Sequence, residues 1–246
     1  MIAGFDASHW EGTIEWPLVP DDYKFCFIKA TEGGFPPDHL ADQHWIGAGQ
    51  QGLLRGAYMF WRYGAPAAAQ ANEFCSRISW LEAQGGKSEL PPVIDLEDTR
   101  APKGSLLLPH IRAVLQIVES FCGRKPIIYT SAWWSTPWLG DCSWMRPYPL
   151  WVASYTYNPS SGPISYSMPK GLTEWKFHQW TDNAEIPGIA ENDECIDTFH
   201  GTLEELYTFA NLTPPPTLEQ RVLQLENRVT ALEAELERRA IALEAK

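Results

Sequence analysis

The sequence predicts an α/β fold: an irregular, closed β/α barrel followed by a C-terminal coiled-coil helix. Two observations carry this. Over residues 1–212, eight short apolar runs are interspersed with amphipathic segments, and beyond a proline-rich break the pattern changes to heptads. The runs read as strands are Ala3–Asp6, Phe25–Ala30, Arg55–Phe60, Pro92–Leu96, Pro126–Tyr129, Leu150–Ser154, Trp175–Trp180 and Cys195–Phe199. Helical periodicity occupies Asp38–Gln51, Ala65–Ala83 and Ser105–Cys122. Eight strands with helices between them favour a closed, mostly parallel sheet over an open one. The later segments carry Trp and Pro where helices would be expected, so the TIM-barrel-like fold is expected to be irregular there.

The break falls at residues 213–217, Thr-Pro-Pro-Pro-Thr, where three prolines favour a stiff, extended spacer. Residues 218–246 contain no aromatic residue and no glycine. Val222, Val229 and Leu236 take heptad position a, and Leu225 and Leu232 position d, with Leu218 and Leu243 extending the seam and Arg239 interrupting it. Arg221 and Arg228 at g each precede an acid at e, Glu226 and Glu233, by five residues. Opposite charges at g and e face each other in a parallel pair, so a parallel homodimer or trimer through 218–243 is expected. A lone amphipathic helix is the alternative.

Composition narrows the function. The net charge is −12, with 19 Lys and Arg against 31 Asp and Glu, which disfavours nucleic acid and anionic membrane surfaces as partners. No apolar run approaches the ~18 residues of a membrane span. The N-terminus shows neither a basic nor an apolar leader region, so no secretory signal is expected. Five scattered cysteines, never in C-x-x-C, read as thiols rather than a disulfide framework. No histidine pattern suits zinc, so no metal and no cofactor is expected. His39 and His44 are expected at the surface, and the acidic residues between Asp182 and Glu194 are expected to form a solvated loop. Twelve Trp, nine Tyr and ten Phe can build a core, but also platforms for sugars.

Acids at strand ends point to the chemistry. In a parallel barrel the C-terminal strand ends share one mouth, where active sites form. Asp6 ends the first run, and Asp95 and Glu97 lie two apart at the end of the fourth. On a strand these two point the same way, with Cβ atoms about 6.6 Å apart. A neutral carboxyl beside a carboxylate is what glycosidic cleavage requires. The spacing alone carries no weight, because 11 Asp and 20 Glu generate about one D-x-E by chance in a chain of 246 residues. Its context does, since an acid on a buried strand is costly. An ion pair with Lys29 or a core arginine is the structural alternative.

The ordered set Gly4-Phe5-Asp6-Ala7-Ser8, Phe27–Gly33, Gly56–Phe60, Pro92–Glu97, Ile128–Thr130, Leu150–Tyr155 and Ile196-Asp197 resembles family 25 glycoside hydrolases. These are lysozyme-type muramidases, common as bacteriophage endolysins, and the likeness runs from about residue 2 to residue 209. With no leader visible, the resemblance implies a host cytoplasm before release to the cell wall, or a place on a virion. The resemblance implies cleavage of the β-1,4 bond between N-acetylmuramic acid and N-acetylglucosamine in the peptidoglycan glycan strand. It implies Glu97 as general acid, Asp95 as its assistant at the anomeric carbon, and Asp6 and Asp197 as flanking carboxylates of the same catalytic cleft. Glu32 resembles a cleft-wall acid, while Tyr58, Trp61, Tyr129, Trp151 and Tyr155 fall where sugar contacts are expected. Met59 stands where the family often has His, and Phe199 where it often has Asn, which is expected to alter substrate contacts. The competing readings are a chitinase-like hydrolase and a non-catalytic wall-binding or virion module. Val93 and Leu90 stand where a chitinase signature would carry further Asp residues.

Overall fold

The computed structural model describes residues 1–156, 158, 160, 162–163, 167–190, 194–216 and 218–244, of which 237 and 240–244 are described by their backbone alone. It divides into two compact units, Met1–Leu212 and Thr213–Lys246. Of the acidic stretch, Glu191 and Asp193 lie outside the described residues.

The first unit is a closed eight-stranded barrel in chain order. Its strands are β1 (Ile2–Ala7), β2 (Tyr23–Glu32), β3 (Leu54–Phe60), β4 (Val93–Asp95), β5 (Ile127–Ser131), β6 (Leu150–Ala153), β7 (Phe177–Ala184) and β8 (Glu194–Phe199). Each overlaps a run expected from the sequence. Strands β1 to β7 pair parallel, whereas β8 runs antiparallel to both β7 and β1 and closes the cylinder. A parallel connection needs a crossover of about a dozen residues or more, and the short link from Ala184 to Glu194 cannot provide one.

Side chains alternate between two cores. Phe25, Phe27, Val93, Ile127, Trp151, Phe177 and Phe199 fill the barrel interior. Cys26, Ile28, Ala57, Met59, Ile94, Ile128 and Val152 point outward into the layer beneath the helices. The interior is an aromatic plug: Phe27 stacks on Trp151 at 4.5 Å, and Phe177 lies 5.1 Å from both Phe25 and Phe27. Gly4 is required here, because a Cβ would come within 2.5 Å of the Phe25 ring.

Three helices cover the outer layer: α1 (Ala41–Gln50), α2 (Ala67–Gly85) and α3 (Leu107–Cys122). The apolar stripe of α3, Leu107, Ile111, Val114, Leu115 and Val118, is fully buried, and left-handed Gly123 ends the helix. Buried Arg55 on β3 ties this layer together. Its guanidinium donates to the Trp45 and Gly85 carbonyls at 3.0 and 2.8 Å and forks onto Glu89. Helix α4 (Ala132–Leu139) is concealed in the sequence by Pro137, and Ser131 starts it by accepting from the Trp134 N–H at 3.2 Å. Helix α5 (Leu203–Phe209) closes the barrel floor, its Phe209 meeting Phe177 and Phe199.

All five cysteines are free. His44 is buried, contrary to expectation, and its Nε2 lies 2.8 Å from the Gly12 carbonyl oxygen. Glu194 is buried at the start of β8 rather than solvated. In the second unit a single helix, α6 (Leu218–Glu244), carries the heptad positions. Leu218, Val222, Leu225, Val229, Leu232 and Leu236 are all exposed on it. No helix among the described residues is long and apolar enough to cross a membrane.

Candidate active site

The strand alternation that fills the barrel interior also aims acids at its mouth. Below the mouth the inward positions are aromatic or aliphatic; at the mouth they become Asp6 on β1, Asp95 on β4, Gln179 on β7 and Asp197 on β8. Glu97, two residues past Asp95, continues the inward parity just beyond the strand. Its approach is fixed by β5, since Leu96 N–H donates to the Tyr129 carbonyl at 2.9 Å and Thr130 Oγ1 donates to the Leu96 carbonyl at 2.8 Å. Glu97 is half-buried and lines a cavity of about 670 Å³ with Tyr129, Ser131, Trp133, Ser154 and Tyr155. Asp95 lies deeper, with its Oδ1 buried and without a hydrogen-bond partner.

Desolvation dominates the electrostatics. Burial pushes Asp95 well above the usual carboxylate range, and the neighbouring Glu97 charge adds to it. Burial also raises Glu97, with Lys29 and Arg62 pulling it back. Lys29 forms no ion pair with the Asp95–Glu97 couple. Its Nζ binds Glu32 at 2.8 Å, so the structural alternative for the two acids fails. Glu32 also pairs with Arg62, which reaches on to Asp98 at 2.9 Å. Burial alone would raise Glu32, but the hydrogen bonds and charges of Lys29 and Arg62 outweigh it and lower its pKa. Glu32 is therefore an ionised strut beside the mouth.

Asp6 and Asp197 form a second pair. Burial raises Asp6 to about 8, helped by the charges of Glu11 and Glu97. Burial and the adjacent Asp6 push Asp197 well above its usual range. Asp197 Oδ1 accepts from Trp151 Nε1 at 2.7 Å, and Asp6 Oδ2 accepts from Gln179 Nε2 at 2.8 Å. Asp197 Oδ2 is buried and lacks a partner if both groups are ionised. A proton on Asp197, donated to Asp6, satisfies it, and the hydrogen bond between the two acts in that direction on both pKa values.

Gln179 is a site residue that the sequence analysis missed. Its Oε1 accepts from Tyr129 OH at 2.9 Å and Tyr155 OH at 3.1 Å, while its amide holds Asp6. A polar residue on the inward parity of a buried strand was the available signal. The aromatic expectations divide. Tyr155 is exposed at the cavity and Tyr129 lines it. Tyr58 lies on the inward side, where Asp6 and Asp95 help to raise its pKa after burial. Trp151 is buried in the barrel interior, where it anchors Asp197 rather than offering a face to sugar. Trp61 is a correction: on the outward parity of Met59, it is fully buried, and its indole N–H donates to His110 Nδ1 at 3.0 Å. Met59 is also buried in the outer layer and Phe199 in the barrel interior, so neither departure from the family pattern lies at the cleft. Trp133 and Trp10, exposed by 71% and 73%, are mouth-end aromatics that the sequence analysis passed over. Among the described residues no cluster of His, Cys, Asp and Glu could hold a metal ion.

The family model for Glycosyl hydrolases family 25 matches residues 5–189. Among curated proteins, "Lysozyme M1" of Streptomyces globisporus is 30% identical over 230 residues, covering 86% of this chain and 72% of that protein. "Uncharacterized protein YegX" of Escherichia coli strain K12 is 31% identical over 218 residues, covering 85% of this chain and 74% of that protein. Among solved structures, the bacterial lysozyme of Streptomyces coelicolor superposes with a TM-score of 0.73 at 28% identity. That match covers 85% of this chain and 97% of the other.

The Asp6 shift has a consequence for stability. With a folded pKa of about 8 against an ordinary 3.8, native Asp6 binds more protons than unfolded Asp6 between those values. Stability from this group is therefore complete below the unfolded pKa and is lost as pH rises through about 8. Asp6→Asn, which cannot ionise, should gain on the wild type by ~3 °C or more in melting temperature between pH 4 and pH 9. Parallel declines for the two proteins would show that native Asp6 titrates as an ordinary carboxylate.

Proposed function

The chain belongs to glycosyl hydrolases family 25, and from that premise we propose that it cleaves the β-1,4 bond between N-acetylmuramic acid and N-acetylglucosamine in peptidoglycan, with Glu97 as general acid and Asp95 as the assisting carboxylate. The observation that carries the reading is the pair of desolvated carboxyls, one half-exposed on the mouth cavity and one buried beneath it. The exposed member is the one able to meet a leaving oxygen.

The division of labour follows from burial. Asp95 is the deeper group, and burial raises it together with Glu97, so the pair retains a proton before substrate binds. A glycan seated in the cavity removes water from Glu97 and raises its pKa further, so the proton moves to the group that donates it. As the glycosidic bond breaks, positive charge grows at the anomeric carbon and favours the anionic form of Asp95. Lys29 and Arg62 temper both groups without neutralising either, because their own ion pairs go to Glu32 and Asp98. Tyr155 and the exposed Trp133 offer sugar-contact surfaces on the cavity wall.

Glu97→Gln keeps the shape and removes the proton donor. It should reduce lysis of purified cell walls by ~10²–10⁴-fold while the protein stays folded. Near wild-type lysis by a folded variant would overturn the assignment.

The tail is proposed to join two copies of the chain. Its exposed seam, β-branched a positions, leucine d positions and the Arg221–Glu226 and Arg228–Glu233 combinations favour a parallel pair. Two catalytic units on one stalk would engage a polymeric substrate together and gain avidity. Light scattering over a concentration series should find a dimer for the full chain and an active monomer for a chain ending at Thr213. A monomeric full chain at tens of micromolar would contradict the pairing.

A further inference from the structure

A second cavity of about 670 Å³ opens at the end of the barrel opposite the carboxyl cluster. It is bounded by the segments that lead into β5, β6 and β7 and by the residue that follows β8. Because β8 is antiparallel, its C-terminal end reaches this floor while the C-terminal ends of β1 to β7 form the mouth. None of the residues bounding this cavity belongs to the mouth site.

The lining pairs cations with aromatic rings: Lys125, Arg146 and Lys176 with Tyr148, Trp175 and His200. Lys125 is committed elsewhere, bound to Glu119 at 2.8 Å with its ammonium over the Tyr148 ring at 4.9 Å. Arg146 and Lys176 are exposed, and among the described residues neither forms an ion pair. Arg146 spends Nε and Nη2 on the Gly171 carbonyl at 3.3 and 3.0 Å, which fixes the guanidinium and leaves further N–H donors. The nearby acids are Glu174 on the rim, Asp141, which lies within reach of the Arg146 charge and accepts from the Ser143 N–H at 3.0 Å, and Glu205, which lies within reach of Lys176 and accepts from the Thr202 N–H at 2.7 Å to cap α5.

The walls are built on anchored backbone. Lys176 N–H donates to the Leu150 carbonyl at 2.8 Å, and its own carbonyl accepts from His200 N–H at 2.8 Å. Trp175 and the His200 ring stack at 4.4 Å, inclined by 17°. Two unpaired cations beside half-buried aromatic rings suit a ligand with ring faces and negative charge. In a protein of net charge −12, two such cations side by side favour an anion locally against the overall charge.

The geometry points to a second, non-hydrolytic site at the barrel floor, which binds a glycan strand of the wall with its sugar rings against Tyr148 and Trp175 and the carboxylates of its peptide stems at Arg146 and Lys176. This rests on the reading of the protein as a peptidoglycan hydrolase, because that reading supplies a polymer with carboxylates at regular intervals. A strand held at the floor keeps the enzyme on the meshwork while the mouth works on another.

Binding is read on sacculi stripped of teichoic acid, using the full chain with Glu97→Gln so that the wall stays intact. Adding Arg146→Ala and Lys176→Ala together should weaken sedimentation with the sacculi by ~10-fold at low salt, an effect that fades as salt rises. Arg146→Lys with Lys176→Arg should keep the binding. With Glu97 restored, the double alanine variant should cleave a short soluble glycan at the wild-type rate. Unchanged binding to stripped sacculi would overturn the site, as would a parallel loss of short-glycan cleavage. A loss seen only on walls that retain teichoic acid would overturn the carboxylate strand in favour of a phosphate polymer. A wild-type chain that cleaves no peptidoglycan while the binding difference persists would remove the hydrolase reading and leave the floor site standing.

Discussion

Four carboxyl groups, Asp6, Asp95, Glu97 and Asp197, converge at the mouth of a barrel whose interior immediately below is aromatic, and desolvation raises all four. Packing that much potential negative charge against Phe27, Trp151 and Phe177 is affordable only if protons stay bound or donors are supplied. The structure uses both means. Trp151 and Gln179 bring N–H donors to Asp197 and Asp6, and the two acids share a hydrogen bond that requires a proton. Lys29 and Arg62 add positive charge at one remove, held back by Glu32 and Asp98.

The same arrangement gives the buried aromatic rings an electrostatic part at the mouth. Phe25, Phe27, Phe177 and Phe199 exclude water from the barrel interior, which raises the pKa values above them. Trp151 does this and also donates the hydrogen bond that orients Asp197. Among the described residues, Trp133 and Tyr155 are exposed rings that line the cavity reaching Glu97.

Much of this was legible in the sequence. The eight strands follow from short apolar runs, and the Asp95–Glu97 pair from acids on one parity of a buried strand. The orientation of β8 was not read, although the connection from β7 is too short for a crossover once β7 is seen to continue to Ala184. Trp61 was misplaced because its position past a strand end was counted without its parity: Tyr58 faces inward, Met59 and Trp61 outward. Gln179 went unnoticed because its role lies in three partners from separate strands and loops, a convergence that sequence spacing does not display. Pro137 hid α4, whose N-cap at Ser131 was the compensating signal.

The central claim is that the mouth keeps protons on its carboxyl groups at a pH where exposed acids have lost theirs. Carbon-detected nuclear magnetic resonance of the Asp and Glu side-chain carboxyls, followed from pH 3 to pH 10, tests it directly. The account predicts that the Asp6–Asp197 pair still carries a proton at neutral pH and that Asp6 titrates near 8, with Asp95 and Glu97 also ionising above surface acids. Complete ionisation of all four carboxyls below about pH 5, alongside the surface acids, would contradict it.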